Sequence, residues 1–302
     1  MSEAAAGGSA AAGARIYDLG YRHYEGARLG RAYAVASLFW YSFRAVWGIG
    51  RSTWAKVFPF GLTIVSLVPA LISLAVGAVV PEEFELIRLE DYFGYNSIVL
   101  ALFCAAVAPE IINRDVRTRT LVLYFSRSLS RFDYVTAKLA ALGIALFLVT
   151  YLSQLLALSG NALGTDDFAR YLSENADLFP SVLGGSALAA VTMSGIALAI
   201  ACQTPRRAWS TGAVIVYFVV ATTTANVLLE AVGEDSDAGW VLLFSPIDTL
   251  DGAIHFLFGA EPRLDSSVQR SGIEAPYFLL ASLAYAAAGL AALYRRFLRL
   301  PV

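Results

Sequence analysis

The side chains able to do chemistry are few and scattered. Two histidines, His23 and His255, and two cysteines, Cys104 and Cys202, are all the imidazoles and thiols present. Both cysteines fall inside or at the end of apolar runs, and neither residue type shows metal-ligand or disulfide-framework spacing. Thr192-Met193-Ser194-Gly195 places a serine hydroxyl in a small-residue stretch. Serine-protease chemistry inside a membrane would need Gly-x-Ser-Gly and a histidine on another apolar segment. Here Thr192 stands in the first glycine's place, and His255 lies in the outer loop, between the last two apolar runs. Glu110 and Glu230 sit at the ends of apolar runs, so no carboxylate pair suggests an intramembrane proton relay. The only lysines, Lys56 and Lys138, follow no Gly-x-x-x-x-Gly loop, which excludes a P-loop on this chain.

The elements that would have to position such groups are apolar. Hydrophobic residues make up 58% of the 302 and charged residues 15%, against about one-quarter charged in soluble domains. Runs long enough to cross a ~30 Å hydrocarbon layer occur at about Val57 to Val80, Tyr95 to Ile112, Val135 to Leu158, Phe179 to Cys202, Ala208 to Leu229 and Pro276 to Leu293. Pro59 and Pro69 should bend the first, and Pro109 with Glu110 should close the second. Gly185, Ser186, Ala189 and Ala190 give the fourth a small-residue face suited to close helix contact. Residues 1–30 read as a disordered Ala/Gly/Ser tail, not a signal peptide, followed by a cytoplasmic Tyr-rich segment. Residues 31–56 read as an interfacial amphipathic helix. Val35, Leu38, Phe39, Val46 and Ile49 share a stripe, Trp40, Phe43 and Trp47 flank it, and Arg44 and Arg51 lie opposite. The expected architecture is therefore an all-α polytopic membrane protein of six spans within 57–302. An external loop at 231–275 contains Phe244 to Phe258, apolar but too short to span, which reads as a re-entrant element before the sixth span.

Charge sets the orientation. Of the 22 Lys and Arg, 18 lie before the first span, after the second through Lys138, after the fourth and after the sixth. The positive-inside rule then places both termini and the 113–134 loop in the cytoplasm. That loop, from Asp115 through Lys138, is longer than a crossing requires and holds its own apolar cluster, Leu121 to Phe125. Ser130 and Asp133 form a capping-box pattern that starts the third helix at Arg131.

The loop carries a resemblance. Asp115-Val116-Arg117-Thr118-Arg119-Thr120-Leu121, then Ser126 to Arg131, then Tyr134 to Lys138, is similar to the membrane (permease) subunit of type-2 ABC exporters. In that family an acidic-basic cluster often ends Gly-Thr-Leu. A turn reading Ser-Arg-Pro follows, then Ser-Arg, an aromatic and Gly-Lys. Arg119, Ser128 and Ala137 replace the glycine, the proline and the second glycine. The resemblance implies a coupling helix that docks on an ATP-binding subunit, through Asp115, Arg117, Arg119, Leu121, Leu123, Tyr124, Phe125, Arg127 and Arg131. It also implies a translocation path along the second and fifth spans, for which Asn96, Ser97, Tyr217, Thr222, Thr223, Thr224 and Asn226 are the candidates. ATP and magnesium would reside on the partner, with no cofactor or metal on this chain. Implied partners are two ATP-binding subunits, a second copy of this chain in preference to a sister permease, and membrane lipid, with no nucleic acid, in a bacterial plasma (inner) membrane. An intramembrane enzyme or an assembly scaffold without transport activity is the alternative.

Overall fold

The computed structural model describes residues 26, 29–77, 88–126, 129–165, 167–232 and 237–299. The expected tail and nearly all of the Tyr-rich segment lie outside them, as do His23, Arg127 and Ser128. Among the described residues there is no strand. The helices, in order, are α1 (Arg31–Val46), α2 (Thr53–Gly77), α3 (Tyr92–Arg117), α4 (Leu121–Phe125), α5 (Arg131–Leu163), α6 (Phe168–Glu174), α7 (Leu178–Ala201) and α8 (Arg207–Val232). A 3-10 turn (Asp237–Phe244), α9 (Pro246–Phe258), α10 (Ser267–Arg270) and α11 (Ala275–Leu298) complete the chain. Six of these, α2, α3, α5, α7, α8 and α11, are long and apolar enough to cross a membrane. The protein is all-helical and multi-pass.

Several boundaries differ from those expected, each for a local reason. The amphipathic helix stops at Val46, not Lys56. Gly48 and Gly50 adopt left-handed backbone, with φ of 65° and 84°. A Cβ at Gly48 would lie 2.5 Å from the Ala55 carbonyl oxygen, so only glycine lets the chain turn this closely into α2. Pro109 does not close its helix, and α3 continues to Arg117. Side chains beyond the proline anchor that extension: Glu110 is paired to Arg51 and Arg207, and Asp115 to Lys138. The capping box forms as expected. The Asp133 amide donates to Ser130 Oγ at 3.1 Å and the Ser130 amide to Asp133 Oδ2 at 2.9 Å. From there α5 runs 33 residues, about 50 Å at the helical rise, and so extends past a hydrocarbon layer of ~30 Å.

α3, α5 and α7 supply most of the main core, and the interior is joined by small residues. Gly185, Ser186, Ala189 and Ala190 of α7 are all buried. A Cβ on Gly289 of α11 would fall 2.9 Å from the Gly195 carbonyl carbon of α7, and one on Gly160 of α5 would fall 2.6 Å from the Leu74 amide of α2. These contacts let backbones meet where dispersion, not water exclusion, joins helices. Beside Gly160, Ser73 donates to Asn161 Oδ1 at 2.9 Å. α2 and α8 instead turn apolar side chains outward, among them Phe58, Ile64, Val216 and Val220. Replacing Gly160 with valine should push α2 off α5. A loss of about 1–3 kcal/mol is expected, read as a lower unfolding midpoint of the detergent-purified chain, whereas valine at open Gly61 should leave it nearly unchanged.

Candidate functional site at the arginine-rich end

One end of the bundle is built around an ion pair within the protein. Lys138 Nζ of α5 lies 2.7 Å from Asp115 Oδ2 of α3, and the two side chains are 2% and 6% exposed. Two further bonds complete the knot. Tyr134 donates its hydroxyl to Asp115 Oδ2 at 2.9 Å, and Lys138 donates to the Ile111 carbonyl at 3.1 Å. The ammonium also sits over the rings of Tyr134 and Tyr41, 5.2 and 5.8 Å from their centroids. Burial of two charges costs several kcal/mol apiece unless hydrogen bonds satisfy both, and here both are satisfied. Around this knot, Arg31 of α1 bonds both Asp133 oxygens at 2.8 Å. Arg51 and Arg207 converge on Glu110, Arg207 at 2.8 Å. The ends of α1, α3, α5 and α8 are thereby tied together.

The coupling candidates divide into inward and outward groups. Asp115 is buried in the knot. Tyr124 and Phe125 of α4 pack their rings 5.9 Å from the Tyr134 ring, and burial pushes the Tyr124 phenol up to about 12. Leu121 is half-buried. Arg131 donates to the Leu298 carbonyl at 2.6 Å and lies 6.0 Å from the centre of the Phe125 ring. Leu123 and Val122 point outward, 66% and 52% exposed, and Arg117 and Arg119 are exposed beside them. Arg127 is outside the described residues. The short helix thus stands on aromatic supports and presents a small apolar face flanked by guanidinium groups. A five-residue segment has too little periodicity to reveal which face would be which.

The path candidates do not form one surface. Asn96 and Ser97 are buried in α3 and bond back to Tyr92 and Gly94 carbonyls. Tyr217 is half-buried against Phe218. Thr222 pairs with Ser245 Oγ at 3.0 Å, and Asn226 donates to Asp248 Oδ2 at 3.1 Å and accepts from Ser267. Thr223 and Thr224 are exposed on the outer face of α8. Thr222 and Asn226 therefore join α8 to α9 and α10 at the opposite end of the bundle.

That opposite end contains a cluster that sequence order hides. His255 Nε2 of α9 is 3.0 Å from Asp91 Oδ1, just before α3, and its Nδ1 is 2.8 Å from the Asp251 carbonyl. The residues are 164 apart in sequence, and the signal available was a lone His following Asp248 and Asp251 at helical spacing. Asp251 Oδ1 is buried without a hydrogen-bond partner, and a Cβ on Gly94 would lie 3.0 Å from it. Burial raises the Asp251 carboxyl to about 7. His255 opposes the rise, and Asp248 and Asp91 add to it. Ser194 meanwhile donates to the Val191 carbonyl, while His255 is engaged with Asp91 and the Asp251 carbonyl instead. No group of three or more His, Cys, Asp or Glu among the described residues could hold a metal.

Two expectations follow from these charges. Lys138→Met strands the Asp115 carboxylate in the protein and should cost about 3–5 kcal/mol, while Asp115→Leu with Lys138→Met should recover most of that; unfolding titrations of the purified variants measure both. Asp251, with its folded pKa raised, stabilises fully below its unfolded value near 4 and loses that contribution as pH rises through about 7. The wild-type melting temperature should fall from pH 5 to pH 8, and Asp251→Asn should fall less over the same interval.

Compared with known proteins, the chain matches no family model, and no curated protein matches it.

Proposed function

We propose that this chain is the permease subunit of an ATP-driven exporter whose ATPase is a separate polypeptide. The observation that carries the reading is α4: a short helix held out from the bundle end, with Leu123 and Val122 outward and Tyr124 and Phe125 anchored beneath. Exposed apolar residues bordered by arginines suit a compact protein interface, and a loop that only crossed between two spans would need no such platform. Arg119 adds support. It holds left-handed backbone, φ 55°, at the position where the similar exporter subunits carry glycine, the residue for which that conformation costs least. The turn geometry is thus one that glycine would favour, adopted here by arginine.

On this reading the arginine-rich end and both termini face the cytoplasm, in a bacterial plasma membrane. α9 is a re-entrant element at the outer face, and a second copy completes the path against the outward apolar faces of α2 and α8. Two ATPase subunits closing on ATP would press on α4. The push would pass through the Tyr134 ring to α5 and through Asp115 to α3, shifting the bundle between inward- and outward-open states. Cargo biases that equilibrium only by its differential affinity for the two states.

The test co-expresses this chain with a candidate partner P-loop ATPase. Leu123→Asp should weaken ATPase association at least about tenfold, on the scale of a lost hot-spot residue, and abolish permease-dependent ATP turnover. The variant's own melting temperature should stay unchanged, because Leu123 is exposed. Full ATPase stoichiometry and turnover in that variant would sink the docking assignment.

A further inference from the structure

A second feature of the arginine-rich end is left unused by α4. Arg51, Arg114, Arg117 and Arg207 line a cavity of about 300 Å³ with Glu110 and Asn113. Arg51 and Arg114 also border an adjoining cavity of about 730 Å³ along α1, beside Arg44, Trp40 and Tyr41. Four guanidinium groups therefore share a cavity with the Glu110 carboxylate, which Arg51 and Arg207 already pair with, and a fifth, Arg44, lines the adjoining one. The nearby Asp115 carboxylate is committed to Lys138. The excess charge is felt locally: burial lowers the Arg51 pKa, and Arg114 and Arg207 lower it further. Two polar atoms at the site are buried without hydrogen-bond partners, Arg51 Nη2 and Asn113 Oδ1, and Asn113 itself is 3% exposed. One is a donor awaiting an acceptor and the other an acceptor awaiting a donor.

We infer that these cavities bind the headgroup of an anionic glycerophospholipid, with the phosphate among Arg51, Arg114 and Arg44 and a headgroup hydroxyl toward Asn113. Guanidinium groups recognise phosphate oxygens through charge-assisted hydrogen bonds, and a hydroxyl-bearing headgroup supplies the donor that Asn113 Oδ1 lacks. Basic pockets between transmembrane helices are suited to acidic lipid headgroups. Continuity with the lipid favours this source over free phosphate. Arg51, Glu110 and Arg207 also border a crevice lined by Trp54 and Phe58, whose side chains are 79% and 66% exposed. An acyl chain lying on α2 would leave its headgroup at the arginines. Trp40 and Tyr41, exposed on α1, suit the same interfacial depth. The inference rests on membrane placement and not on ATPase coupling.

The test titrates the detergent-purified full chain with phosphatidylglycerol, with phosphatidylcholine of the same acyl chains, and with inorganic phosphate, following bound lipid by native mass spectrometry. Phosphatidylglycerol should bind in preference to phosphatidylcholine. Arg44→Gln with Arg114→Gln removes two exposed cations that have no ion-pair partner among the described residues, so the fold should survive. Its affinity for phosphatidylglycerol should fall roughly 10- to 30-fold, the range expected for two cations at an anionic surface. Arg295→Gln with Arg296→Gln, an equal charge loss at the C-terminal end of α11, should leave that affinity unchanged. Equal losses in both variants, or no preference over phosphatidylcholine, would overturn the site. Displacement of the lipid by low-millimolar inorganic phosphate would overturn the lipid assignment. Leu123→Asp should retain lipid binding, so the two proposals fail separately.

Discussion

The buried pair between Asp115 and Lys138 is the constraint on which the arginine-rich end depends. An ion pair in a protein interior stabilises little in net terms, because desolvation consumes most of the attraction. Its effect is on geometry. Asp115 is near the end of α3 and Lys138 two turns into α5, so satisfying both charges fixes how those helices meet. Tyr134 then shares the carboxylate from the same face of α5 and offers its ring to Tyr124 and Phe125 of α4. The short helix is placed by a chain of contacts that begins at the ion pair. The same pairing leaves Glu110 as the only carboxylate lining the arginine cavity among the described residues.

What could be read from sequence was whatever depends on local pattern. Six apolar runs give the six long helices, and Ser130 with Asp133 gives the start of α5 because a capping box involves only four consecutive residues. Gly185 to Ala190 gave a buried helix face because small residues in an apolar span have few other uses. Pro109 misled because proline removes one hydrogen bond but does not end a helix whose next turns are anchored by Glu110 and Asp115. Tertiary pairing overrode local propensity there. The amphipathic stripe ends early because Gly48 and Gly50 both take left-handed backbone, and at Gly48 the close approach of Ala55 makes glycine obligatory.

Which way each candidate residue faces was not legible in the sequence. Asp115 begins a charged loop, which suggests a docking role, yet a partner 23 residues on takes it inside. Tyr124 and Phe125 look like anchors for a partner, and in the fold they anchor α4 to its own bundle. Leu123, itself a docking candidate, and its neighbour Val122 carry the outward face. In sequence His255 is a lone imidazole in the outer loop. Its tie to Asp91 spans most of the chain, and no periodicity encodes a contact of that range.

The placement of charge and small residues also bears on how the bundle could move. At one end, the Asp115 knot and the ion pairs of Arg31, Arg51 and Arg207 join α1, α3, α5 and α8. The Asp91–His255 contact and the Asn226 bonds join α3, α8, α9 and α10 at the other. Between them, α7 meets α11 at Gly195 and Gly289 through a close, largely apolar contact. Such contacts resist separation but specify sliding and rotation weakly, whereas buried polar knots specify both. A displacement applied at α4 would therefore be carried by the polar end as a unit and accommodated in the small-residue middle. On the exporter reading that is the division of mechanical roles a coupling loop requires. The fixed end receives the push through Tyr134, and the middle of the bundle is the part able to yield.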